Sequence, residues 1–185
     1  VSETIGGAQV YFPAGAFGQA NLDLANRLVE QVHGWVPDGA RVAELYAGVG
    51  AIGLGLVGRA ARVTFNEVDS GSLAGLRLGI AALAPGEQSR VDVRPGPASD
   101  HTGVLHDADV AIVDPPRKGL DAPVLAALAA DPPARLVTVS CDLGAFLREA
   151  RTLLDAGHVR LSALVPFALF PNTAHVETVA LFERR

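Results

Sequence analysis

Hydrophobic and polar positions change period along the chain. Gln19–Trp35 carries apolar residues at Leu22, Ala25, Leu28, Val29, Val32 and Trp35. That i, i+3, i+4, i+7 spacing predicts an amphipathic helix, stopped near Gly34 and Pro37. A short extended run, Gln9–Phe12, precedes it. From Arg41 onward, short apolar runs (Arg41–Ala47, Arg62–Glu67, Val91–Arg94, Asp109–Asp114, Arg135–Cys141) alternate with helical patterns (Ile52–Val57, Ser70–Ala84, Ala122–Ala130, Leu143–Ala156). Such alternation predicts βαβ units, a parallel sheet and helices on both faces. The alternation fails at the end. Val159–Pro166 and His175–Glu183 are extended runs with no helix between them, which predicts antiparallel pairing at the edge of the sheet.

Composition narrows the classes. The 185 residues suit one domain, and 49% hydrophobic against 19% charged residues excludes a disordered chain. No apolar run is long enough for a transmembrane helix. The single Cys rules out a disulfide framework and a Cys-rich metal site, so no metal is expected, and it suits a reducing, cytoplasmic setting. A formal charge of −5 excludes a globally basic nucleic-acid binder. There is no secretory signal and no Met at all, as expected of a domain cut from a longer protein or of a processed one.

In an open α/β sheet, ligands lie beyond the carboxyl ends of the strands, so the residues there are the candidates for chemistry. Gly48, Gly50 and Gly53 form G-x-G-x-x-G between a strand and a helical pattern, and Glu67 follows 19 residues after Gly48. Glycines allow a tight turn and close approach of a ligand, and an acid at that distance can accept hydrogen bonds from ribose hydroxyls. The motif does not separate a nicotinamide cofactor from S-adenosylmethionine. Asp114-Pro115-Pro116-Arg117 ends another strand in a rigid lip, since each proline fixes φ and lacks an amide donor. It suits the clamping of a planar ring or a catalytic thiol, and equally a surface turn. Cys141 ends a strand just before a helix, where a helix N-terminus would lower a thiol pKa; a lone Cys on a strand also reads as a small core residue. Glu177 lies on the last run with His175, among Val176, Val179 and Leu181. An apolar neighbourhood would raise its pKa and make it a base, while an edge strand would leave it in solvent. His33, His101, His106 and His158 show no ligand spacing and read as surface residues.

Taken in order, these segments resemble the S-adenosylmethionine-dependent RNA uracil-5-methyltransferases, which make 5-methyluridine in tRNA or ribosomal RNA. The resemblance rests on Phe17-Gly18-Gln19-Ala20-Asn21, Leu45-Tyr46-Ala47-Gly48-Val49-Gly50, Glu67, Asp114-Pro115-Pro116-Arg117-Lys118-Gly119, Val139-Ser140-Cys141-Asp142 and the segment from Phe170 to Val179. It implies a class I methyltransferase fold: a Rossmann-like three-layer sandwich whose seven-stranded, mostly parallel sheet has an antiparallel last strand near His175–Phe182. It implies one catalytic domain over residues 1–185, with an extended and helical lead-in to residue 36. It also implies that Gln19, Tyr46, Gly48, Gly50, Glu67 and Asp114 hold the methyl donor, that Pro115, Pro116 and Arg117 face the substrate, that Cys141 is the nucleophile and that Glu177 is the base. The partner implied is RNA, gripped mainly by a segment outside this chain. Ala51, Asp142-Leu143, Ala168 and Ile80–Gly86 depart from the family pattern.

The chemistry matches the residue types. Carbon 5 of uracil is a weak nucleophile until a thiolate adds at carbon 6, and a carboxylate must then remove the carbon 5 proton. The rival readings are an amine methyltransferase, a cytosine-5-methyltransferase, a nicotinamide-dependent oxidoreductase and a non-catalytic donor-binding module. The amine enzyme uses an acid-Pro-Pro segment but leaves Cys141 and Glu177 without work. The cytosine enzyme usually employs two cysteines. The oxidoreductase explains only the glycine loop and Glu67.

Overall fold

The computed structural model describes residues 1–13, 21–168 and 176–185. An antiparallel hairpin, β1 (Ser2–Ile5) and β2 (Ala8–Tyr11), comes first. Helix α1 (Leu22–Gly34) follows, its Asn21 side chain accepting the Leu24 amide as N-cap. Then come β3 (Arg41–Leu45), β4 (Arg62–Glu67), α2 (Ser70–Ala82), the short α3 (Pro85–Gln88) and β5 (Val91–Pro95). The chain ends with β6 (Val110–Val113), α4 (Ala122–Ala130), β7 (Arg135–Ser140), α5 (Leu143–Asp155), β8 (Val159–Phe167) and β9 (Glu177–Arg184).

The main sheet has seven strands in the order β5-β4-β3-β6-β7-β9-β8. All neighbours from β5 to β7 pair in parallel, and β9 runs antiparallel to both β7 and β8. The expected seven-stranded, mostly parallel sheet with a reversed last strand is therefore present. The two extended runs also pair antiparallel at the edge of the sheet, as expected, with β9 on the inner side and β8 outermost. A strand as rich in apolar residues as β9 gains more by being covered on both flanks.

Period-2 alternation divides the core into two layers. Val42, Val63, Phe65, Val110, Ile112, Val137, Val139, Val179 and Leu181 pack with α1, the hairpin and α2 on one face. Ala43, Leu45, Ala111, Val113, Leu136, Ala180 and Phe182 pack with α4 and α5 on the other. Two expectations need correction. The helical pattern at Ile52–Val57 forms only a 3-10 turn at Leu54–Leu56, because Gly50, Gly53, Gly55 and Gly58 break any longer helix. The extended start is a full hairpin, whose first strand, Ser2–Ile5, carries too short a pattern to be read alone. His175 and Gln19 lie outside the described residues.

Candidate active site

Alternation decides which strand-end residues meet. Glu44, Glu67, Asp114, Cys141 and Glu177 each share parity with residues of the first face. Four of them stand at the same end of four strands. Because β9 is reversed, its first residue lies at the carboxyl end of β7. The β7–β9 register pairs Ser140 with Thr178, and one further step sets Cys141 opposite Glu177. Glu67, Asp114, Cys141 and Glu177, with Tyr46 to Val49 of the glycine loop, line a cleft of about 980 Å³.

Tyr46 turns β3 into the glycine loop at φ 59, and among the described residues it is the only non-glycine at positive φ. Gly48 (φ 57) and Gly50 (φ 81) continue the turn. A side chain on Gly50 would meet Leu76 and Leu54, whereas one on Gly48 would meet nothing, so the loop backbone there is open to the cleft. Glu67 locks the loop: one oxygen accepts the Gly48 amide at 2.7 Å, and the other accepts Val68 and Asp69 at 2.8 and 2.7 Å. A carboxylate has room for roughly four hydrogen bonds, so one direction stays available to a ligand.

Glu177 is 3% exposed, and burial pushes its carboxyl up to about 7. Burial is therefore what poises this group near neutrality, in place of the solvent that an edge strand would have supplied. Asp114 is also raised, by enclosure and then by the charge of Glu177. Its side chain is open to water within the cleft, which tempers the shift. Cys141 differs from expectation. Its thiol is raised, first by burial, then by Glu177 and Asp114, with Arg117 acting the other way. Helix α5 does follow it, capped by Asp142 accepting the Ala145 amide, but burial outweighs that placement at the thiol.

Pro115, Pro116 and Arg117 line the same cleft, Pro115 buried and Arg117 exposed. The Tyr46 hydroxyl bonds Asp121 rather than standing free. Two residues to which the sequence reading gave no role also bear on the site. Glu44 lies under the glycine loop, 1% exposed and raised to about 8, first by burial and then by Asp114; its Oε2 has no hydrogen-bond partner. A carboxylate inside an otherwise apolar strand was its available signal. Glu149 on α5 accepts the Leu120 amide at 2.6 Å. His33, read as a surface residue, is half-buried and bonded to the Ile52 carbonyl at 2.7 Å.

Fold and cleft together have the architecture of a class I methyltransferase domain. The tRNA (uracil-54, C5)-methyltransferase of Pyrococcus abyssi, solved in complex with S-adenosyl-L-homocysteine, superposes with a TM-score of 0.85 at 25% identity, covering 98% of this chain and 44% of that one. No protein-family model matches the chain. Among curated proteins, an uncharacterized RNA methyltransferase of Protochlamydia amoebophila is 34% identical over 182 residues, 98% of this chain and 47% of the relative. A 23S rRNA (uracil(1939)-C(5))-methyltransferase of Chromohalobacter salexigens is 36% identical over 172 residues, 92% of this chain and 35% of the relative. The resemblance drawn from the motifs holds: the chain is a relative of RNA methyltransferases, uracil-C5 enzymes among them. It spans less than half the length of these relatives.

Proposed function

We propose that residues 1–185 form a catalytic domain that transfers a methyl group from S-adenosylmethionine to carbon 5 of a uridine in tRNA or ribosomal RNA. The observation that carries the reading is the β7–β9 register, which faces Cys141 with Glu177 in the cleft that also holds the glycine loop. The donor fits the residues present. Gly48 keeps its backbone open to the cleft, and Glu67 has one hydrogen-bonding direction left for a ribose hydroxyl. Bound there, the donor supplies an electrophilic methyl group to carbon 5.

The protein's own residues do the rest. A base paired within folded RNA must be turned out of its stack to reach Cys141. Cys141 gives up its thiol proton to solvent, and its sulfur bonds to carbon 6. The electron pair of the 5,6 double bond moves toward the carbon 4 oxygen, making carbon 5 nucleophilic. After carbon 5 is methylated, the Glu177 carboxylate takes the proton from that carbon. The double bond re-forms and the carbon–sulfur bond breaks, releasing Cys141 as thiolate. With its pKa near 7, Glu177 is substantially ionised at neutral pH and still basic enough to accept that proton.

The two side chains therefore fail differently when changed. Cys141→Ala abolishes methylation. Glu177→Gln permits attack and methylation but stalls before elimination, leaving RNA attached to Cys141. On a denaturing gel with labelled RNA and S-adenosylmethionine, a slow-migrating adduct is expected in Glu177→Gln and absent when Cys141→Ala is added. Robust methylation by Cys141→Ala would overturn the reading in favour of an amine methyltransferase.

A further inference from the structure

The loop after β6, residues 114–121, carries Asp114 and Arg117 over the cleft and is tied down from two sides. From the glycine-loop side comes Tyr46. Its hydroxyl donates to Asp121 Oδ2 at 3.1 Å and accepts from the Asp121 amide at 3.1 Å. From α5 comes Glu149, accepting the Leu120 amide at 2.6 Å. Gly119 (φ +89) passes so close that any Cβ would run into Glu149 Oε1.

Local stability does not explain these contacts. Tyr46 is held in the left-handed region, which disfavours a residue with a Cβ. Asp121 is the N-cap of α4, yet its carboxylate makes no capping bond; it binds Tyr46 and Lys118 instead (2.8 Å to Lys118 Nζ). A cap residue normally uses its oxygen on the helix amides. Strain and a forgone cap coincide at one contact, and that contact joins the donor loop to the loop bearing Arg117.

We propose that Tyr46 and Glu149 are positioning residues that pin the far end of the 114–121 loop on the α4–α5 face and so hold Arg117 in the cleft that Cys141 also lines. Tyr46 then acts through Asp121. The proposal rests on reading Cys141 as the nucleophile. Burial raises that thiol most; of the charged groups, Glu177 from β9 and Asp114 from the end of β6 raise it further, and Arg117 from the loop lowers it. Asp114 is anchored where β6 ends, its amide bonded to the Leu45 carbonyl, whereas Arg117 lies further out on the exposed part of the loop. Loosening the loop therefore removes the cation and leaves the carboxylates.

The test is alkylation of the 185-residue chain by iodoacetamide, read by intact mass from about pH 7 to about pH 10, with its single Cys as the only thiol labelled. Arg117→Ala moves the rate profile to higher pH. Tyr46→Phe and Glu149→Ala move it the same way, each lowering the rate near pH 8 by about threefold or more. Tyr46→Phe adds nothing further in an Arg117→Ala background. General loosening would do the opposite, since exposing a buried thiol speeds its alkylation. Should Glu149→Ala not fold, Asp121→Ala removes the Tyr46 contact from the other side. A wild-type profile in Tyr46→Phe, a faster one, or an effect additive with Arg117→Ala overturns the proposal. Failure of the nucleophile assignment would appear elsewhere, as methylation by Cys141→Ala, because alkylation needs neither donor nor RNA.

Discussion

Single carboxyl groups in this domain sit in opposite environments, and each environment sets what the group can do. Glu67 accepts three amides, so replacing it removes the brace of the glycine loop together with the acceptor proposed for the donor. Glu67→Ala is expected to weaken S-adenosylhomocysteine binding by about 1–3 kcal/mol, measured by calorimetry. Unchanged affinity would remove Glu67 from the donor site. Glu44 is the reverse case, buried with an oxygen that has no partner. Its carboxyl is raised to about 8 in the folded state against 4.5 as the ordinary value, so the fold binds its proton more tightly than the unfolded chain does. That stabilisation is full below about pH 4.5 and is lost as pH rises through about 8. Wild type should therefore lose stability relative to Glu44→Gln between about pH 5.5 and about pH 8.5, by roughly 1–3 kcal/mol. Thermal melts at both pH values measure it, and a constant difference between the two proteins would refute it.

Among the elements, the hairpin β1–β2 depends on α2 being narrow. Gly75 and Gly79 face it, and a Cβ on Gly75 would strike the Tyr11 carbonyl and crowd Pro13 and Val49. Ala is favoured over Gly in a helix by about 1 kcal/mol, so Gly75→Ala would stabilise an isolated helix. Here the clash with backbone reverses the sign. Gly75→Ala is expected to destabilise the domain by about 1–3 kcal/mol, read by urea denaturation, as the hairpin is wedged off the helix. A stabilised variant would show that the hairpin yields freely. Strand β9 shows the same dependence on neighbours. Its composition marks it as a strand, but only pairing with β7 places Glu177 opposite Cys141.

At the scale of the whole molecule, charge decides what this chain can grip. With a net charge of −5 and, among the described residues, Arg117 and Lys118 as the basic residues lining the cleft, few phosphates can be neutralised, and RNA affinity depends on that number. Binding of this chain to tRNA or ribosomal RNA fragments at physiological salt is expected to be weaker than micromolar. Nanomolar binding in a filter assay would overturn this. Among the described residues, no helix is long and apolar enough to cross a membrane. Much of this architecture was legible in one dimension, because hydrophobic period is a local property. The strands Arg62–Glu67 and Val110–Val113 and the helix Ala122–Ala130 follow from their own residues and punctuation. The motif residues at the strand ends were legible too, since strand-ending acids, glycines and a lone thiol stand out against apolar runs. Distance along the chain hides the rest. The insertion of β9, the clasp of Tyr46 on Asp121 across 75 residues and the enclosure that raises Cys141 and Glu177 all arise between segments far apart in sequence. A side chain's solvent and partners are set by packing, so pKa and hydrogen bonding became readable only in the tertiary structure.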